Sequence, residues 1–567
     1  MNSAGMLHVT DSRYCFAISE KELVIRLRVA KEDTNISVTL VYGPKFHYHE
    51  YQEETEMSLA FIDHTHAYYE TKLKLEDVRL AYIFKIEECG KIYYFSEDGL
   101  TETYDFTHGF YNFFQMPYIN AADIHHIIPW TKTAVFYQIF VDRFNRGDFR
   151  KDDSYINMNW LDKPTPESFA GGDLKGISEK LDYLDNLGIN VIYLTPIFKS
   201  ASNHKYDISD YYAIDPHFGD KFDLHNLIKQ AHQKGIKVIL DAVFNHASST
   251  SDEFQDVIKN GKDSIYYDWF IIYDDFPTID LKNYETFADC SNMPKWNTSQ
   301  PAVQDYLIQI GKYWVTEFDI DGWRLDVSDE ISHDFWRRFR KAIKAVKSDV
   351  ILIGENWHDA WPYLKGDQYD GIMNYAFTKA CLDYFAYETV DSKRFAEKLS
   401  HIVMRNTWQV NAMNLNLLDS HDTHRFFTQV NQNKDKLLAA LALQFVFVGI
   451  PCIYYGTELA MTGGYDPDSR RGFDWNEAKR DDQFLESVKQ IIGLRRLEII
   501  QEGRIIFDTL ADCLIIKRVL NDRSVVLYIN NGQDAINIKD RGQILVGNKV
   551  DCKHYQLLPN GYVVVEY

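Results

Sequence analysis

Between residues 135 and 455, apolar strand-like runs alternate with helical patterns, and few folds accept that order. Eight stretches read as strands: Val135–Phe140, Asn190–Leu194, Lys237–Val243, Gly322–Val327, Val350–Ile353, Gly371–Met373, Ala412–Leu417 and Pro451–Tyr455. Helical periods separate them, among them Phe222–Lys234 with Gly235 placed as its stop, Gln304–Phe318 and Phe335–Val346. Eight strand–helix units in one run predict the α/β class and a (β/α)8 TIM barrel, whose chemistry sits at the C-terminal ends of its strands.

The flanks have a different texture. Over residues 1–122, short period-two runs such as Leu23–Val29, Ser37–Tyr42 and Ala81–Ile86 predict an N-terminal β-sandwich. The barrel then occupies 123–246 and 301–503, entered through a linker at Asp123–Trp130. Residues 247–300 fall between its third strand and next helix and show no clear helical period, so an inserted loop domain is expected there. Residues 504–567 return to short strands and predict a small C-terminal β-domain.

Composition narrows the partners. A net charge of −22 argues against nucleic acid and anionic membrane, and a neutral substrate fits without strain. Seven scattered cysteines form neither a disulfide framework nor a metal-site spacing. No apolar run is long enough to span a bilayer, and Met1–Arg28 lacks the pattern of a signal peptide, so a cytoplasmic protein is expected. The 37 tyrosines and 35 phenylalanines suit either sugar stacking or ordinary packing.

The residues that end the predicted strands are not ordinary packing. The second strand leads to Asn203-His204-Lys205-Tyr206-Asp207, and the third ends Asp241-Ala242-Val243-Phe244-Asn245-His246. The fourth ends Arg324-Leu325-Asp326, the fifth leads to Glu355-Asn356-Trp357, and the seventh to Asp419-Ser420-His421-Asp422. Residues two apart on a strand share a face, so Arg324 and Asp326 leave on the same side, where the guanidinium is expected to keep the carboxylate ionised. Asp241 reads as a structural hydrogen-bond anchor. There is no Ser nucleophile elbow, no phosphate-cradling Gly-rich loop and no Cys/His cluster. Carboxyl groups, neutral donors and aromatics on one barrel rim are what glycoside hydrolysis requires.

These blocks, in this order from about residue 130 to 480, resemble the α-amylase family of retaining glycoside hydrolases. Met293-Pro294-Lys295-Trp296-Asn297 and Asp466-Pro467-Asp468-Ser469-Arg470-Arg471, with the long N-terminal β-region, resemble its cyclomaltodextrinase, neopullulanase and maltogenic amylase subfamily. The resemblance implies that Asp326 is the nucleophile, Glu355 the acid and then the base, and Asp422 the residue that favours the distorted sugar ring. It implies a short separation of about 5–5.5 Å between nucleophile and acid. His246, His421 and Arg324 would serve the cleavage subsite and Tyr206 would stack beneath its sugar. Asn245 and His204 flank that subsite, as sugar contacts or as architecture. Phe287, Glu330 and Trp357 fall to the acceptor side, and Asp466 with Arg470 to the donor side. The N-terminal domain resembles a starch-binding module and, in this group, commonly forms a homodimer that narrows the partner's cleft.

The implied substrates are α-glucans, namely cyclodextrins and short maltodextrins cut to maltose and glucose, with transglycosylation beside hydrolysis. Three rival readings remain: a neopullulanase or general α-amylase acting on polymers, a non-catalytic glucan-binding protein, and an exo-acting α-glucosidase. Trp296 and Ser328-Asp329 depart from the subfamily pattern near the acceptor side. Many relatives hold calcium between a first-strand loop and a Gly-Gly-Asp block. Here Gly171-Gly172-Asp173 is present, but the loop reads Asn145-Arg146-Gly147-Asp148-Phe149-Arg150-Lys151-Asp152. Its cations repel a metal ion, so calcium is disfavoured even with Asp148, Asp152 and Asp173, and no cofactor is expected.

Overall fold

The computed structural model describes residues 1–279, 282–538 and 542–567; two residues of the 247–300 stretch and three of the 504–567 stretch lie outside them. Its centre is a parallel sheet of eight strands: β1 (Phe136–Ile139), β2 (Val191–Leu194), β3 (Lys237–Ala242), β4 (Gly322–Leu325), β5 (Ile351–Gly354), β6 (Gly371–Ile372), β7 (Leu415–Leu417) and β8 (Ile450–Tyr454). The order β6-β5-β4-β3-β2-β1-β8-β7 wraps round, and a parallel bridge from Met373 to Leu415 joins the two ends. The predicted barrel is present.

Alternate residues of each strand divide between two cores, as a pleated strand requires. Ile192, Leu194, Val238, Leu240, Trp323, Leu325 and Leu352 pack outward under the helices, whereas Phe136, Tyr193, Ile239, Ile351, Ile353, Leu417 and Cys452 fill the barrel interior. Gln138, Asp241 and Arg324 fall on the inward alternation and are buried. Those three polar positions mark where the packed core gives way to the site.

Register sets the site's frame. Asp241 on β3 pairs with Arg324 on β4, and Leu325 on β4 pairs with Gly354 on β5. At Gly354 a Cβ would come within 2.6 Å of the Tyr369 ring, so the close packing there requires glycine.

Two sequence readings need correction. The seventh strand begins at Leu415, because Trp408–Met413 is a helix capped by the Thr407 side chain. The inserted stretch contains a helix, Asp252–Asn260, capped by Ser251. Phe254, at the helix's third residue, packs on Phe270 and Tyr284 with ring centroids 4.8 and 5.1 Å apart. The Phe254, Val257, Ile258 spacing was the available signal; it was hidden in a stretch otherwise rich in turns.

Before the barrel, a four-stranded and a six-stranded antiparallel sheet face each other. Leu23, Ile25, Leu27 and Val29 from one sheet meet Val38, Leu40, Tyr82, Phe84 and Ile86 from the other, making the expected sandwich. Arg26 joins it to the barrel by donating to the Asn406 carbonyl at 2.7 Å, and Asp63 pairs with His401 at 3.0 Å. A six-stranded antiparallel sheet follows the barrel, from Arg504 to Glu566. Among the described residues, no helix is long and apolar enough to cross a membrane.

Candidate active site

Because Leu325 and Gly354 are paired, the next residues, Asp326 and Glu355, leave adjacent strands side by side. Arg324 binds both. Its Nη1 donates to Asp326 Oδ1 at 2.7 Å, and its Nη2 ion-pairs with Glu355 Oε2 at 2.9 Å. Nη1 also donates to both oxygens of Asp241 at 3.1 Å. Two carboxyl groups on one guanidinium fork sit close together, as a retaining pair must.

Glu355 is further fixed by its own loop. Val327 N–H donates to Oε2 at 3.0 Å, the Trp357 indole donates to Oε1 at 3.3 Å, and Ser328 Oγ donates to the Glu355 carbonyl at 2.7 Å. Val327 reaches this position in a left-handed conformation, φ 43°, rare for a β-branched residue.

The charges do not balance pairwise. Burial raises the Asp241 carboxyl to about 6 against the pull of Arg324. Burial also raises Asp326 well above the usual carboxylate range; Arg324 opposes the shift, while Glu355 and Asp241 add to it. The expectation that Arg324 by itself keeps Asp326 ionised is therefore corrected. One cation faces three buried carboxyl groups, so Arg324 is divided among them and only partly offsets burial at Asp326 and Asp241.

A second chain of contacts fixes the sugar-facing wall. Gln138 Nε2 donates to His421 Nδ1 at 2.7 Å, so Nε2–H of His421 is left to face the Tyr206 hydroxyl and, at 3.2 Å, Asp422 Oδ2. The Tyr206 hydroxyl in turn donates to Asp241 at 3.1 Å, and its ring lies parallel to that of His421. Burial, with Arg470 and Arg324, lowers the His421 pKa well below its ordinary value, so the ring is neutral. Arg470 donates to the His421 carbonyl at 2.8 Å, to Asp422 Oδ1 at 3.2 Å, and pairs with Asp466 at 2.9 Å. Asp422 is the one member of the acid trio with substantial exposure, its side chain 28% accessible.

The remaining candidates join the same rim. His246 is lowered by burial to about 3 and donates from Nε2 to the Tyr206 carbonyl at 3.1 Å. Phe287 stacks on it at 5.1 Å, and Asn245 lies against its Nδ1. Lys295 ties Asn245 to Glu330, 2.6 Å from each. His204, lowered by burial to about 4, accepts the Tyr206 backbone N–H at 3.1 Å. Trp357, half-exposed, stacks on Tyr375 at 3.7 Å. No proposed residue stands apart.

Sequence reasoning missed Gln138, Tyr193, Lys295 and Tyr375 as partners of the site. Gln138 could have been found, as the polar residue inside the apolar run Phe136–Phe140. Tyr193, which donates to Asp241 at 2.6 Å, carries no such mark. Trp296, whose backbone N–H donates to the Asn245 carbonyl at 3.0 Å, is itself a core residue: it is 1% exposed and stacks on Phe270.

Comparison with known proteins places the chain in a family. Residues 138–495 match the family model of the alpha amylase catalytic domain, and residues 1–120 that of the alpha amylase N-terminal ig-like domain. The chain belongs to the α-amylase family of glycoside hydrolases. It is 43% identical to a cyclomaltodextrinase of Thermoanaerobacter pseudethanolicus over 94% of this chain and 93% of that one. It is 38% identical to an intracellular maltogenic amylase of Bacillus subtilis, over 97% and 95%. A solved cyclomaltodextrinase superposes with a TM-score of 0.91 at 34% identity, covering 100% of this chain and 98% of that one.

Proposed function

We propose that this chain is a retaining, endo-type hydrolase of α-1,4-glucosidic bonds in cyclodextrins and short maltodextrins, releasing mainly maltose and glucose, with transglycosylation beside hydrolysis. The observation that carries the reading is the single guanidinium of Arg324 shared by Asp326 and Glu355. Asp326 attacks the anomeric carbon while Glu355 gives its proton to the departing glycosidic oxygen, so that a β-linked glycosyl-enzyme forms as the bond breaks. Glu355, now ionised, takes a proton from water, whose oxygen displaces Asp326 and restores the α configuration. A sugar hydroxyl in place of that water gives transglycosylation.

Asp422, tied by His421 and Arg470, receives sugar hydroxyls as the ring flattens. Neutral His421 presents its Nε2–H to sugar hydroxyls without attracting an anion, neutral His246 holds the Tyr206 backbone in place through its own Nε2–H, and Tyr206 supplies an apolar face beneath the sugar. Phe287, Glu330 and Trp357 line the acceptor side, Asp466 and Arg470 the donor side. Each step uses side chains of this chain and water, and we assign it no cofactor.

Two relatives bear on substrate size. Beside the cyclomaltodextrinase stands a Neopullulanase 2 of Thermoactinomyces vulgaris, 39% identical over 93% of this chain. We read the N-terminal sandwich as the arm of a homodimer that narrows the cleft. Phe46, Tyr51, Phe110 and Tyr111 are exposed on it, and the His49 and Phe110 rings lie 5.1 Å apart, so the two segments form one aromatic surface. A cytoplasmic location is in keeping with short dextrins as substrates and with the intracellular enzyme named among the relatives.

The test is initial rates on β-cyclodextrin, soluble starch and pullulan at matched mass, with Glu355→Gln as control. Cyclodextrin should be opened fastest, and Glu355→Gln should lose about 10²–10⁴-fold or more in kcat. Faster cleavage of starch or pullulan would favour a polymer-acting enzyme. Binding with no turnover on any of the three would revive the glucan-binding protein.

A further inference from the structure

The first-strand loop carries its own cation. Lys151 is nearly buried, its side chain 11% exposed, and its ammonium donates to three oxygens from two other segments. These are the Gly171 carbonyl at 3.0 Å, Asp173 Oδ2 at 2.9 Å and the His217 carbonyl at 2.6 Å. Carbonyl and carboxylate oxygens converging from separate loops are what a hard divalent cation would recruit. Here an ammonium recruits them.

The residues do not fit calcium as well. A carboxylate offers about four lone-pair sites, and all those of Asp173 are spent. Oδ1 accepts from Gly147 N–H at 3.0 Å and Gly176 N–H at 2.7 Å; Oδ2 accepts from Asp148 N–H at 3.0 Å and from Lys151. The neighbouring acids point elsewhere. Asp148 Oδ1 receives the Arg150 N–H and Nε–H at 3.1 and 3.3 Å, and Asp152 Oδ1 receives Ser154 N–H at 3.0 Å. The loops also pack closely, since a Cβ on Gly176 would sit 2.0 Å from the Asn145 carbonyl oxygen.

We propose that the Lys151 ammonium is the resident cation of this position, and that the enzyme's stability is therefore independent of calcium. What it clamps leads to both walls of the cleft. Gly171 and Ala170 donate to Asp142, which pairs with Arg143, and Arg143 donates to the Arg470 carbonyl at 2.7 Å. On the other side, His217 stacks on Tyr155 at 3.7 Å and lies 3.4 Å from buried Lys205, the residue before Tyr206. Lys151 thus does for the loops what a metal ion does, without exchange with solvent.

Thermal unfolding of the full chain tests this in millimolar EDTA, calcium and magnesium. Wild type should melt at one temperature in all three. Lys151→Met, which keeps the stem and removes the charge, should melt several degrees lower whatever the buffer. Lys151→Asp, which removes the ammonium and adds an oxygen ligand, should be weak in EDTA and recover selectively with calcium. A calcium-specific rise in the wild-type midpoint, or an unchanged midpoint in Lys151→Met, would overturn the proposal. Should both variants fail to fold, equilibrium dialysis of wild type against calcium with magnesium in excess still decides: no retained calcium supports the proposal, and one tightly held ion per chain refutes it.

Discussion

One guanidinium is shared by three buried carboxyl groups, Asp241, Asp326 and Glu355. As the proposed nucleophile, Asp326 must be ionised, so kcat/KM should fall as pH drops through its value in the free enzyme. Burial, Glu355 and Asp241 raise that value, which places the acid limb above where an ordinary aspartate would put it. Asp241→Asn removes one negative charge and leaves Arg324 more fully to Asp326. Both effects lower the Asp326 pKa, and the acid limb should move to lower pH by about one unit or more. A limb that stays in place would show that burial alone sets it. The sequence made Arg324 and Asp326 legible as a pair, from their two-residue spacing. It did not reveal the third claimant, because Asp241 meets Arg324 only through strand register.

At the scale of the element, the β4 end is bent to serve Glu355. Val327 takes φ 43° and ψ 44°, and the turn aims its N–H at Glu355 Oε2. A strained residue of this kind stores about 1–3 kcal/mol. Glycine adopts the conformation freely but loses about 0.4–1 kcal/mol through the unfolded chain. Val327→Gly should therefore keep or raise the melting temperature while kcat falls more than KM changes. A destabilised variant with intact kcat would mean that the turn serves folding, not the acid. The eight strands were legible because apolar runs and helical periods alternate in sequence. The helix at Asp252–Asn260 was not, since only Phe254, Val257 and Ile258 mark its inward face and turn-forming residues crowd both flanks.

For the whole molecule, the question is what the N-terminal sandwich does for the cleft. Its aromatic surface at residues 46–51 and 110–111 is large and exposed, Tyr111 at 95%. If it seats on a second copy, Phe110→Ser combined with Tyr111→Ser should convert dimer to monomer by light scattering. The same variant should lower the ratio of cyclodextrin to starch cleavage, because an unobstructed cleft admits polymer. A monomeric wild type, or a dimer unaffected by the double substitution, would remove the arm from the mechanism.

The sequence by itself determined the barrel, the sandwich before it, the β-domain after it and the residues on the rim. Hydrophobic period and strand-end chemistry are local properties, written within a few residues of each other. Only tertiary structure decided how the charges are shared, why Trp296 is core, and where Lys151 points. Each of those depends on segments far apart in the chain: Asp241 with Arg324, Trp296 with Phe270, and Lys151 with Gly171, Asp173 and His217. Spacing along a chain can name the groups that meet at a strand end. It cannot count how many carboxyl groups one cation must serve, and that count sets the chemistry.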